Sequence, residues 1–258
     1  VKTHTKLLMI VRKEGSGVRR YLHMSSGNYN ETTAKIYTDT SYITSKRAYG
    51  NDIAEFFNVI TGHSQPYRYN KLITTPGDMR MSLIRRIRNE ARNAKKGIKA
   101  LIMIKVNSLE DTQVIAELYK ASQAGVKINI IVRGICCLRP GRKDLSENIE
   151  VKSIVGDYLE HTRIYYFHNQ GSPKVYGGSA DVMVRSFDRR IESLFLVEGF
   201  AMQQMINILD YSLKDTSNSF VMNEEGGFEV IGTKKKAFNV HEEFFKLTKE
   251  KVLASQFE

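Results

Sequence analysis

This sequence predicts an α/β fold, and two patterns carry the expectation. After Gly97 the chain alternates strand, helix and strand at residues 98–106, 109–123 and 126–132, a β-α-β unit whose crossover implies a parallel sheet. Short apolar runs at 149–155, 161–167 and 174–179 supply three further strands. The second pattern is chemical. A histidine and a cation two residues apart run into an apolar segment twice, as His4-Thr5-Lys6-Leu7-Leu8-Met9-Ile10-Val11 and as His161-Thr162-Arg163-Ile164-Tyr165-Tyr166-Phe167. Side chains alternate along a strand, so each histidine is expected on the same face as its cation, an arrangement suited to phosphate chemistry in one site with two halves.

At 258 residues the chain is one large domain or two modest ones, with apolar content enough for a core, which excludes a disordered chain. Lys+Arg 39 against Asp+Glu 28 gives a formal net charge of +11. That sign favours anionic partners without choosing among nucleic acid, polyphosphate, nucleotides and an acidic membrane surface. The apolar runs are strand-sized, well short of the roughly 20 residues of a membrane helix, and Val1 opens no signal peptide, so a soluble cytoplasmic protein is expected. Cys136 and Cys137 are adjacent, which strains a mutual disulfide and does not match CxxC spacing; reduced, buried thiols are expected. No histidine pair forms HExxH or joins a cysteine at ligand spacing, so no structural metal site is expected.

In chain order, the apolar segment after Lys6 reads as a buried strand that turns through Gly15-Ser16-Gly17 into a basic return at 18–24. The loop Ser25-Ser26-Gly27-Asn28 offers backbone N–H groups suited to an anion. Ile53, Phe56, Phe57 and Ile60 fall at helical spacing, with Gly62 as the stop. Thr75-Pro76-Gly77-Asp78 starts a basic helix over 79–96, mostly a solvated surface, and a domain boundary is placed just before it. Ligands of parallel sheets collect outside the carboxyl ends of strands, where Lys105-Val106-Asn107 and Arg133-Gly134 fall. Residues 133–142 hold three arginines, two glycines and a proline and read as a rigid basic loop able to cradle a polyanion. Arg185, Arg189 and Arg190 add cations, most of them expected to pair with Asp188 and Glu192. Beyond Gly199 come an amphipathic helix, a polar stretch at 214–225, Lys234-Lys235-Lys236 and a charged final helix, which say little about chemistry.

Each His-x-cation has a small-residue partner, Ser25-Ser26-Gly27-Asn28 after the first and Gly177-Gly178-Ser179-Ala180-Asp181 after the second. This resembles, twice and imperfectly, the phospholipase D superfamily pattern of His-x-Lys followed by Gly-Ser-x-Asn. Longer runs are more specific: His4-Thr5-Lys6-Leu7, Ser26-Gly27-Asn28-Tyr29-Asn30, Tyr37-Thr38-Asp39, Ile131-Val132-Arg133-Gly134-Ile135-Cys136-Cys137-Leu138-Arg139-Pro140-Gly141, Leu159-Glu160-His161-Thr162-Arg163-Ile164 and Gly178-Ser179-Ala180-Asp181. Through them the chain is similar to the carboxyl-terminal half of long-form bacterial polyphosphate kinases, from Lys2 to the final helix.

The resemblance implies two phospholipase D-like mixed-sheet domains, the first incomplete at its N-terminal side, with residues 1–71 ending the first and 72–258 forming the second. It implies reversible transfer of the terminal phosphate of ATP to inorganic polyphosphate. His4 then matches the phosphohistidine nucleophile, His161 the second active-site histidine, and Tyr37 and Arg133 the nucleotide contacts; Lys6, Arg163, Asn28 and Ser179 complete the expected substrate-binding set. Mg2+ is the implied cofactor, with ligands expected upstream of Val1. ATP or ADP and polyphosphate are the implied partners, nucleic acid is not, and the full-length protein is expected to be a cytoplasmic homo-oligomer, with peripheral association at the inner membrane left open.

Physical chemistry agrees: an imidazole with a pKa near about 6.5 is a competent nucleophile at neutral pH once cations such as Lys6, Arg133 and Arg163 offset the phosphates. The aspartate that usually follows His-x-Lys in the superfamily is absent, with Ile10, Val11 and Phe167 in that neighbourhood. Two other classes stay open. A phospholipase D-like phosphodiesterase or nuclease would use both histidines without ATP, and a non-catalytic polyanion-binding module would depend on salt but on neither histidine.

Overall fold

A computed structural model describes residues 1–65, 68–231 and 237–247 of the chain. The β-α-β unit forms as its sequence pattern dictates. Strand Leu101–Val106, helix Thr112–Gln123 and strand Lys127–Val132 follow one another, and the two strands pair in parallel with Leu101 opposite Lys127. Asp111 caps the helix by accepting from the Val114 amide at 3.1 Å. Every residue of Leu101–Val106 is buried, and its alternate side chains enter two different cores, which is why the segment reads as continuously apolar.

Among the described residues, ten strands make one mixed sheet. From the first pair outward run Lys127–Val132, Ile149–Ile154, Ser219–Met222 and Phe228–Val230 on one side, and Ile164–Phe167, Lys174–Gly178 and Arg190–Val197 on the other. The outer edge of Arg190–Val197 is shared. Its first two residues pair in parallel with Lys2–Thr3, and the next four pair antiparallel with Leu72–Thr75. One face packs helices Met79–Lys95 and Thr112–Gln123 over Ile102, Ile104 and Ile130; the other packs Arg47–Ile60 and Phe200–Lys214 over Leu101, Met103 and Phe195. No helix among the described residues is long and apolar enough to cross a membrane.

Several local expectations are corrected. The apolar segment of residues 7–14 is not a buried strand: Leu7–Glu14, Gly17–Ser25 and Ser41–Thr44 form a separate three-stranded sheet. Only its Leu7–Met9–Leu22–Met24–Tyr42 face joins the core, so Leu8 is 43% and Ile10 52% exposed on the other face. The strand predicted at 161–167 begins at Ile164, because residues 161–163 leave the sheet to build the site. The polar stretch at 214–225 contains a sheet strand, Ser219–Met222, paired antiparallel with Ile149–Ile154. Asp188 pairs with Arg80 at 2.6 Å and Glu192 with His4, rather than with the arginines beside them. Cys137 is exposed and Cys136 partly buried, both free thiols. Lys234-Lys235-Lys236 and the end of the final helix lie outside the described residues.

Candidate active site

The first half of the site is set by the parallel pairing of Lys2–Thr3 with Arg190 and Ile191. The regular strand stops after Thr3: the amides of His4 and Thr5 both donate to the Ile191 carbonyl, at 2.8 and 3.0 Å. That break turns His4 toward Glu192, whose two carboxylate oxygens each lie 2.9 Å from His4 Nδ1. Glu192 is fully buried, accepts from the Ser179 hydroxyl, and donates its own amide to Thr75 Oγ1 at 2.8 Å. A carboxylate at Nδ1 makes that nitrogen the donor and leaves Nε2 with its lone pair, the form able to act as a nucleophile. Lys6 reaches back to the His4 carbonyl instead of standing beside the ring, and burial, reinforced by the charge of Arg163, lowers its pKa to about 8. Asn28 is exposed and shares a 260 Å³ hollow with His4 and Lys6.

The second half rests on a two-residue ladder, Tyr37–Thr38 parallel with Leu159–Glu160. His161 follows directly. Its Nδ1 lies 2.8 Å from Asp39 Oδ1, its ring centroid 4.8 Å from that of Tyr37, and its Nε2 2.9 Å from Arg163. Burial holds the His161 pKa below its ordinary 6.5, with Arg163 adding to the effect and Asp39 opposing it. Ser26 also donates to Asp39 Oδ1, at 2.7 Å, and Gly27 leaves the room for it: a Cβ there would meet the Asp39 carboxylate at 2.7 Å. Arg163 is 3% exposed and pairs with Asp181 at 3.2 Å, while Asp181 accepts from the Asn107 amide at 2.8 Å. Arg133, at the carboxyl end of its strand, donates to Asn107 Oδ1 at 2.6 Å, and burial lowers its pKa.

The two halves share one electrostatic centre. Lys6 feels Arg163, Glu192 and Asp39; Asp181 feels His4; Arg133 feels Asp181 and Tyr37. The backing carboxylates are crossed, since Glu192 from the later sheet serves His4 and Asp39 from the earlier segment serves His161. His4, His161, Lys6, Arg163, Tyr37, Arg133 and Asn28 are thus brought together.

Ser179 is not: it is fully buried and its hydroxyl is spent on Glu192, so it positions a carboxylate rather than meeting a substrate. The basic loop at 133–142 does not form a cradle either. Arg133 faces the site, while Arg142 donates to the Glu224 carbonyl at 3.0 Å and the Arg139 guanidinium lies against Gly226. Sequence reasoning missed Glu192. Its signal was an acid inside the apolar run Arg190–Val197, where burial without a partner is costly. Among the described residues no group of three His, Cys, Asp or Glu is arranged to hold a metal ion. The facing carboxylates are each engaged by His4, His161 or Arg163, so this donor set does not fit a resident metal of its own.

The sequence profile described as "Polyphosphate kinase C-terminal domain 1" matches residues 1–66, and that described as "Polyphosphate kinase C-terminal domain 2" matches residues 72–241. The chain belongs to the polyphosphate kinase family. It is 47% identical over 229 residues to the polyphosphate kinase of Synechocystis sp., covering 88% of this chain and 32% of that protein. Polyphosphate kinase 1 of Chlorobaculum tepidum is 42% identical over 252 residues, 97% of this chain and 36% of the relative. The chain therefore spans about a third of the length of these relatives. A polyphosphate kinase crystal structure from Porphyromonas gingivalis superposes with a TM-score of 0.90 at 33% identity, over 98% of this chain and 40% of that one. A phosphatidylserine synthase from Haemophilus influenzae, at 9% identity and TM-score 0.54, covers 88% of this chain and 67% of its own and shares the fold alone.

Proposed function

We propose that residues 1–71 end one catalytic domain and residues 72–258 form the next. Together they form the centre at which a polyphosphate kinase moves the terminal phosphate of ATP onto inorganic polyphosphate and back. The observation that carries this is the pair of histidines, each with Nδ1 on a carboxylate contributed by the other part of the chain, in a cluster of buried cations. His4 Nε2 attacks the terminal phosphorus, the bond to the bridging oxygen of ADP breaks, and a phosphohistidine forms. The polymer's terminal oxygen then attacks that phosphorus and releases His4.

His161 rests neutral, its Nε2 accepting from Arg163. An arriving polyanion stabilises the imidazolium, so His161 takes up a proton from solvent as ATP binds and gives it to the departing ADP oxygen as the phosphorus–oxygen bond breaks. Lys6, Arg133 and Arg163 offset the phosphate charge, and Tyr37 and Asn28 border the space where nucleotide and polymer meet. Mg2+ is assigned to ligands outside these residues, arriving with the nucleotide. The proteins similar to this chain support a kinase over a phosphodiesterase reading. The test is incubation of the full-length protein with ATP labelled at its terminal phosphate. Label in an acid-labile, alkali-stable bond is expected, and its absence together with hydrolysis of DNA or lipid diesters would transfer the assignment to the phosphodiesterase class.

A further inference from the structure

The structure assigns His241, with Lys105, as a positioning pair that holds Glu160 and through it the His161 half of the site; this rests on the role proposed above for His161. Glu160 immediately precedes His161, and its carboxylate is buried behind the ladder that carries both that histidine and Tyr37. Three elements hold it. His241 Nε2, from helix Val240–Phe245, lies 2.6 Å from Oε1; Lys105 Nζ, from the central strand, bonds Oε2; and Thr38 Oγ1 donates to Oε2 at 3.2 Å. Burial alone would raise the Glu160 pKa, but Lys105 and His241 bring it down to about 2, so the group is an ion held by partners on both oxygens.

Thr38 sits between Tyr37 and Asp39, both of which touch the His161 ring. Its carbonyl also accepts from the His161 amide at 3.2 Å and from Thr162 Oγ1 at 3.1 Å. Movement of the Glu160 carboxylate therefore displaces the ring, its stacking partner and its orienting carboxylate together. The helix that delivers His241 is docked independently of the site: the Val240 amide donates to the buried Asp215 at 2.8 Å, and Asn239 Oδ1 accepts from the His241 amide at 3.0 Å. Gly156 admits the imidazole, since a Cβ there would lie 2.9 Å from Nδ1 and Cε1. An apolar cluster of similar volume would pack without the desolvation cost, so a buried Lys105–Glu160 ion pair hydrogen-bonded to a histidine at this place fits a demand for fixed orientation.

The experiment uses the full-length enzyme. His241→Leu removes the donor, whereas His241→Gln keeps an N–H near the position of Nε2. The Leu variant is expected to lower kcat roughly ten- to hundredfold, the order set by displacing a reacting group by about 1 Å, with a smaller rise in KM for ATP through Tyr37 and the Gln variant restoring most of the loss. In a His161→Ala background the Leu change is expected to add no further loss. Equal losses in both backgrounds, no loss at all, or a folded Gln variant no better than Leu overturns the assignment. If His161→Ala alone leaves activity intact, it is the role given to His161 that fails. The brace is then judged by the imidazole nitrogen shifts of His161, which His241→Leu must change for it to stand.

Discussion

Glu192 presents both carboxylate oxygens to a single atom of His4, Nδ1, at 2.9 Å each. The contact fixes the tautomer and aims Nε2 outward. Glu192→Gln offers that nitrogen an amide that can donate as well as accept, so the wrong tautomer gains population. Phosphoenzyme formation, followed by rapid quench with terminally labelled ATP, is expected to slow by roughly 10²–10⁴-fold in a folded variant. An unchanged burst rate would remove Glu192 from the mechanism.

The two histidines separate by what each loses. His4→Ala is expected to abolish both the phosphoenzyme and polymer synthesis, because the proposed mechanism carries the phosphate on His4. His161→Ala is expected to slow transfer by roughly 10²–10⁴-fold while phosphate is still trapped on His4. Mass spectrometry at alkaline pH locates the phosphate, and label on His161 reverses the roles.

Lys6 ties binding and stability to pH in opposite senses. Its pKa of about 8 in the fold means that its charge fades as pH rises through that value, and polyphosphate affinity is expected to weaken there. The unfolded chain, with the ordinary value of 10.5, holds more protons between about 8 and 10.5, so this residue's contribution to stability rises across the same window. Wild type minus Lys6→Met should therefore show falling affinity and rising denaturant resistance over that range. Parallel trends would contradict the assignment.

Arg133→Ala is expected to raise KM for ATP by about tenfold or more, the scale of one charge-assisted contact, with little change in melting temperature. The guanidinium is half-buried against Asn107 and pairs with no carboxylate at ion-pair distance among the described residues. Normal ATP kinetics would withdraw it from the nucleotide site.

The cysteines give a control. Cys137 is exposed, whereas burial raises the Cys136 thiol to about 11, so a thiol reagent at neutral pH is expected to label one site, Cys137. The variant carrying Cys136→Ser and Cys137→Ser should keep phosphoryl transfer. A folded but inactive double variant would show that the thiols matter.

The strand-helix-strand core was legible because burial on both faces of Leu101–Val106 leaves an apolar run that little else explains. The two candidate histidines were legible as local tripeptides. What supports them was not: Glu192 stands 188 residues from His4, and His241 lies 81 from Glu160, in a tail that read as uninformative. Spacing reports neighbours along the chain, whereas these carboxylates are delivered by the sheet. The expected cradle at 133–142 failed for a related reason. Cations cluster in sequence without converging in space, and Arg142 spends its guanidinium on Glu224 and Glu225.

The parallel pairing of Lys2–Thr3 with Arg190 and Ile191 bears on the order of assembly. During synthesis the strand that orients His4, and the carboxylate on its Nδ1, emerge nearly two hundred residues after it. A nascent chain that ends before that strand holds His4 without its carboxylate partner, and the tautomer set by Glu192 arises only when the distant strand docks. Premature termination before Arg190 therefore yields a product whose His4 lacks both its paired strand and its orienting carboxylate.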